Sequence, residues 1–168
     1  NISSSLDIIK IASSDNNFYH LIELAIKTKK EVIISLGLTN NKDLLILKKK
    51  IILILKKHQS NAGKISFLHC VTNYPVKDED VNLNAIKNLK KILKPFRIGY
   101  SDHSLGNEAC IIAVSLGASI IEKHFTLNKN FSNFRDHKLS ADFMDMKNLV
   151  NSIRKIEKQL GVKEKKIN

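Results

Sequence analysis

An α/β fold built on a parallel sheet is what this sequence predicts, and three observations predict it. Short apolar runs rich in β-branched residues alternate with stretches of helical period five times along the chain, the pattern of repeated strand–helix units. The runs are mostly apolar throughout, as strands covered on both faces should be. The polar side chains that break the pattern gather where the strands end, which is where α/β folds hold their functional groups.

Strands are expected at 7–12, 31–36, 65–70, 97–100 and 119–124, and helices at 17–28, 41–58, 83–93, 107–116 and 141–160. In each helical segment the apolar residues fall three or four apart, giving one buried stripe. Asn61, Ala62 and Gly63 supply the turn after the second helix, and Asp80 or Asn82 caps the third. Lys94 and Pro95 end that helix, because the residue before a proline avoids helical geometry. Gly117 and Gly161 stop the fourth and fifth. No low-complexity linker divides the chain, so residues 1–168 are read as one unit.

The net charge of +12 raises nucleic acid or an anionic membrane as partners. Both are set aside: the lysines are dispersed over the expected helix faces, and aromatics for base stacking are only 6% with no Trp. No apolar run reaches the ~18 residues of a membrane span. Asn1 to Leu6 holds neither an initiator Met nor a basic and apolar leader, so the chain reads as a segment cut from a longer one. Cys70 and Cys110 sit in apolar runs without CxxC spacing, which fits a reducing, cytoplasmic setting.

The first strand ends Lys10-Ile11-Ala12-Ser13-Ser14, with Lys10 and Ala12 on one face. A lysine on an inward face calls for an anion; on a misplaced strand it would be a surface residue, and Ser13 could equally be a helix cap. Ser35 and Gly37 end the second, where a small hydroxyl and a glycine allow close approach to a phosphate or carboxylate. The third runs through His69 and Cys70 to Thr72, Tyr74 and Pro75; His69 reads better as a satisfied core histidine than as a metal ligand. The fourth ends Ser101-Asp102-His103-Ser104, and the fifth carries Glu122 and His124 on one face with Lys123 on the other.

His103 and His124, on consecutive strands, can converge on one divalent metal with open positions. The competing reading is two buried histidines bonded to Asp102 and Glu122, and those carboxylates would serve equally to orient metal ligands. After the fifth strand, residues 128–140 make a long loop holding Arg135, Asp136, His137 and Lys138, which reads as a charged lid or a solvated surface loop.

Taken in order, KIASSD, VIISLG, LHCVTNYPVKDEDVNL, IGYSDHSLG, GASIIEKHFTLN and DHKLSAD resemble the catalytic barrel of the N-acetylneuraminate (sialic acid) synthase family, with its legionaminate and pseudaminate synthase relatives. The resemblance implies a partial (β/α)₈ TIM barrel whose five units correspond to strands 4 to 8. The first three units and the family's C-terminal antifreeze-like domain have no counterpart in this sequence. It further implies condensation of phosphoenolpyruvate with an N-acetylated amino sugar such as N-acetylmannosamine, giving a nonulosonic acid and phosphate. The implied metal is Mn²⁺, with Mg²⁺ or Co²⁺ as alternatives, held by His103 and His124. Lys10, Ser13, Ser35, Thr72 and Ser101 match phosphoenolpyruvate-binding positions, Glu122 lies beside the reacting centre, and Tyr74 and Asp136 are on the sugar side. The segment 130–136 lacks the family's Gly-Pro pair before its DH dipeptide.

A closed barrel needs eight strands and ~250 residues, so this segment alone is expected to be inactive; the resemblance implies that the full-length protein is an active homodimer. Two rivals stand beside that expectation. One is a truncated barrel that binds a partner or does nothing, and the other is a Schiff-base aldolase using Lys10 or Lys123.

Overall fold

The computed structural model describes residues 5–162 and 164. The five apolar runs form β1 (Ile8–Ile11), β2 (Glu31–Ser35), β3 (Ile65–His69), β4 (Arg97–Asp102) and β5 (Ile121–Lys123). They pair in parallel and in chain order, β1-β2-β3-β4-β5. Between them lie α1 (Tyr19–Lys27), α2 (Asn41–Lys57), α3 (Ala85–Ile92) and α4 (Glu108–Ser115), and after β5 come the short α5 (Arg135–Leu139) and α6 (Phe143–Leu160).

A flat sheet at ~4.8 Å per strand would hold its outermost strands ~19 Å apart. Lys10 on β1 nevertheless reaches Glu122 on β5, Nζ to Oε1 at 3.1 Å, a gap these two side chains are too short to close across a flat sheet. The sheet is therefore curled, and the architecture is a partial (β/α) barrel.

Strand alternation sorts side chains between the two faces. Ile11, Val32, Ile34, Ile65, Phe67, Ile98 and Tyr100 point outward into one apolar layer under the helices, with Ile22, Ile26, Leu47, Ile51, Ile86 and Leu149 packed from the other side. Phe67 meets Phe96 edge-on at 5.3 Å. The inward face is more polar, carrying Lys10, Ser35, Ser66, Ser101 and Glu122.

Helix ends follow local chemistry. Asn40 caps α2 by accepting from the N–H groups of Lys42 and Asp43 at 2.9 and 3.0 Å. Asn61 takes the Gly63 N–H at 2.7 Å in the turn that follows. Gly117 and Gly161 follow α4 and α6 with φ of +93° and +55°, as their expected stopping role requires.

Several boundaries differ from expectation. β4 runs on to Asp102, because that residue still pairs with Lys123. Neither Asp80 nor Asn82 caps α3: Asp78–Asp80 forms its own 3-10 turn, and Asn82 has φ +47°. α6 begins at Phe143 behind a capping box of Asp142 and Asp145, while Ala141 is drawn to the sheet by its N–H bond to the His124 carbonyl at 2.8 Å. The long loop after β5 contains α5.

Two stability measurements test this layering. Ile34→Ala, at a site with no exposure, is expected to cost about 2–5 kcal/mol in denaturant unfolding. Asp142→Ala removes the α6 cap and is expected to cost about 1 kcal/mol; equal unfolding midpoints for the two variants would contradict this ordering.

Candidate active site

Alternation on a curled sheet brings the inward side chains of separate strands together beyond the strand ends. A cleft of about 330 Å³ lies there, walled by Lys10, Ser13, Ser35, Thr72 and Tyr74 on one side and by Ser101, His103, Glu122 and His124 on the other. These are nine of the ten site residues expected from sequence. The tenth, Asp136, stands on α5 outside the cleft wall, 3.8 Å from Arg135 Nε.

His103 is buried, and its Nδ1 is 2.6 Å from the Val71 carbonyl. A carbonyl only accepts, so Nδ1 carries the proton and a neutral ring leaves Nε2 with a lone pair. Burial holds the His103 pKa below its ordinary value, and the nearby His124 adds to this against the Val71 bond. The ring centroids of His103 and His124 are 5.4 Å apart at 70°. The expected alternative, imidazoles bonded to Asp102 and Glu122, is not what forms.

Tyr74 lies over His103 at 4.1 Å and meets His124 edge-on at 5.7 Å. Burial first, then Cys70 and Asp136, push its phenol above the ordinary range. On the neighbouring strands, the Ser101 hydroxyl donates to Glu122 Oε1 at 2.7 Å, the same oxygen that Lys10 approaches.

Ser13 caps no helix. Its hydroxyl accepts the Gly37 N–H at 3.0 Å and lies 3.2 Å from Cys70 Sγ. Gly37 has a packing reason to be small: a Cβ there would meet Thr72, Cys70 and Ser13 at 2.6 to 2.9 Å. Its space is filled by protein, and Gly37 lets three cleft residues crowd together. His69 is the satisfied core histidine expected, with Nε2 2.9 Å from the Val81 carbonyl.

Lys123 is turned away from the cleft and bonded to Asp102, its side chain 2% exposed, so it cannot meet a carbonyl substrate there as a Schiff-base nucleophile. Burial works to raise the Asp102 pKa, but the bonds from Lys123 and Ser104 outweigh it and hold the carboxylate below its ordinary value.

The donor set fits a divalent ion with open positions. Two imidazoles converge, and one is fixed through its other nitrogen by a backbone carbonyl, as metal-binding histidines commonly are. No cage of three or more His, Cys, Asp or Glu residues exists among the described residues. The cleft also fits an anion: Lys10 is at hand, and the buried Ser35 hydroxyl has no hydrogen-bond partner among the described residues. A larger hollow of about 620 Å³ lies outside, between the β3–α3 loop and α4, and is lined largely by apolar residues such as Val81, Leu105 and Ile112. It holds neither imidazole, and the polar groups converge instead on the smaller cleft.

The sequence profile of the NeuB family matches residues 2–165. This chain belongs to the NeuB family. It is 47% identical over 156 residues to an uncharacterized protein of Methanocaldococcus jannaschii, covering 93% of this chain and 44% of that protein. It is 40% identical over 157 residues to the N,N'-diacetyllegionaminic acid synthase of Campylobacter jejuni, covering 93% of this chain and 45% of the relative. The chain thus spans less than half the length of these relatives. The crystal structure of the N-acetylneuraminic acid (sialic acid) synthetase of Leptospira borgpetersenii, in complex with citrate, superposes with a TM-score of 0.85 at 36% identity, over 97% of this chain and 54% of that one.

In this NeuB-family chain, the sequence placed Arg135 in a charged lid or surface loop without giving it a partner. Arg135 stacks its guanidinium on Tyr74 at 5.2 Å, a contact between a loop helix and a distant strand end that no local spacing encodes.

The unpaired hydroxyl gives a direct test. Ser35→Ala is expected to leave the thermal midpoint unchanged or slightly raised, since no hydrogen bond is lost. Inorganic phosphate binding should weaken about tenfold, the value of one hydrogen bond to a charged group; unchanged affinity by calorimetric titration would remove Ser35 from the anion site.

Proposed function

We propose that this chain forms part of the barrel of a nonulosonic acid synthase that condenses phosphoenolpyruvate with an N-acetylated amino sugar. The observation that carries this reading is the convergence of His103 and His124, with His103 Nδ1 fixed by Val71, beside a cleft equipped for an anion. Membership of a family whose relatives bear sialic and legionaminic acid synthase names supports it.

Lys10 and the hydroxyls of Ser13, Ser35, Thr72 and Ser101 hold the phosphate and carboxylate of phosphoenolpyruvate, setting its C3 toward the sugar's C1. The chemistry a divalent ion supplies between His103 and His124, Mn²⁺ with Mg²⁺ or Co²⁺ as alternatives, is polarisation of the open-chain aldehyde. C3 forms the new carbon–carbon bond, water adds at C2, and phosphate leaves to give the 2-keto acid. Glu122 moves the proton of the adding water through Oε1, which already lies among donors from Ser101 and Lys10. Tyr74 walls the sugar side, with Asp136 and Arg135 behind it.

The active form we propose is a cytoplasmic homodimer completed by further barrel strands. Two free buried thiols fit that compartment, and among the described residues no helix is long and apolar enough to cross a membrane.

Phosphate release from phosphoenolpyruvate by the full-length protein, with Mn²⁺ and N-acetylmannosamine or a related sugar, tests the reaction. Sugar-dependent release that a chelator abolishes is expected, and His103→Ala or His124→Ala should each lower it at least 100-fold. Full activity in either variant would refute the ligand assignment, and no release with any amino sugar of this class would refute the reaction.

A further inference from the structure

The residues immediately preceding the two imidazoles are joined to each other. Asp102 and Lys123 are register partners across β4 and β5, on the side of the sheet away from the cleft. Lys123 Nζ donates to Asp102 Oδ2 at 2.6 Å and to the Ser104 carbonyl at 3.1 Å. Asp102 Oδ1 in turn accepts the Ser104 N–H at 2.8 Å and its hydroxyl at 2.6 Å. One ammonium therefore fastens the residues on both sides of His103, and its own backbone leads directly into His124.

Burying two charges is an inefficient way merely to join two strands. Their side chains are 0% and 2% exposed, and loss of hydration offsets much of such a pair's attraction, so an apolar pair of similar volume commonly stabilises as well or better. The strands are also already paired through their backbones. What the ion pair adds is direction: charge-assisted bonds between fixed atoms define where each backbone stands. The Tyr100 hydroxyl and Cys110 thiol also donate to Asp102, at 2.9 and 3.2 Å, so the carboxylate itself is held from four residues.

We infer that Lys123 and Asp102 are positioning residues that fix, from the far side of the sheet, the separation of His103 and His124 needed to share one divalent ion. The inference rests on reading those imidazoles as metal ligands, and the test separates the two ideas. Partners that orient metal ligands typically contribute ~10–100-fold to metal affinity.

Mn²⁺ binding to the full-length protein, followed by electron paramagnetic resonance beside thermal unfolding, is the experiment. The proteins are wild type, Lys123→Met, Lys123→Arg, the double variant Asp102→Asn with Lys123→Met, and His103→Ala. Both Met-containing variants are expected to bind Mn²⁺ about 10–100-fold more weakly, the double variant to unfold close to the wild-type temperature, and Lys123→Arg to recover part of the affinity. Lys123→Met leaves a charge unpaired and is the variant most exposed to misfolding; the neutral double variant then decides. Wild-type Mn²⁺ affinity in a folded Met-containing variant, with His103→Ala deficient, overturns the inference alone. A double variant that fails to fold also overturns it, by showing that the pair serves stability. Absence of Mn²⁺ binding by wild type, or wild-type binding by His103→Ala, overturns the metal-ligand reading and the inference with it.

Discussion

The register between β4 and β5 is the constraint on which the rest of the site depends. A parallel strand has a side-chain period of two, so a slip of one residue would exchange its faces completely. In the observed register Ser101 stands opposite Glu122 and Asp102 opposite Lys123. The first pair faces the cleft and the second faces the helices, with His103 and His124 following on the cleft side. Shifted by one, β5 would send Glu122 and His124 into the apolar layer and leave Asp102 buried without its cation, each an expensive error. The same bonds that make the alternative costly make the functional arrangement unique.

Close approach is the second requirement, and it calls for small residues where strands and loops meet. A Cβ on Gly99 would come within 2.5 Å of both the Ile120 carbonyl and Leu68 Cδ2. Backbone contact at that distance leaves no room for any other residue, so β4 can lie close against the chain entering β5 only because position 99 is glycine. Gly37 does the same at the other wall, where Ser13, Cys70 and Thr72 share the space.

What the sequence made legible was whatever a local period or a nearby neighbour encodes. Five strands and their helices follow from apolar spacing, and the inward set Lys10, Ser35, Ser101, Glu122 and His124 follows from period two once the strands are placed. The boundaries were harder because tertiary bonds decide them: β4 is longer because Asp102 has a partner in Lys123, and Ala141 joins the sheet through His124 when its spacing would let it begin α6. The crowding around Gly37 and the stacking of Arg135 on Tyr74 share a reason for being illegible. Both depend on which atoms fill a space between segments far apart in sequence, and side-chain type alone does not carry that.

The two ion pairs beside the cleft differ sharply in burial. Asp102 and Lys123 are out of solvent, so neither can be released without stranding the other. Lys10 and Glu122 remain 35% and 39% exposed, and a pair in that setting is worth at most about 1 kcal/mol. Any anion entering the cleft competes with Glu122 for Lys10, and the exchange costs little because water already screens what is lost. The Ser101 hydroxyl that donates to Glu122 has a single proton to give, so an anion that takes it also takes that bond from the carboxylate. Behind the sheet the pair is buried and cannot loosen without stranding a charge, while in front of it the pair is solvated and free to change partners.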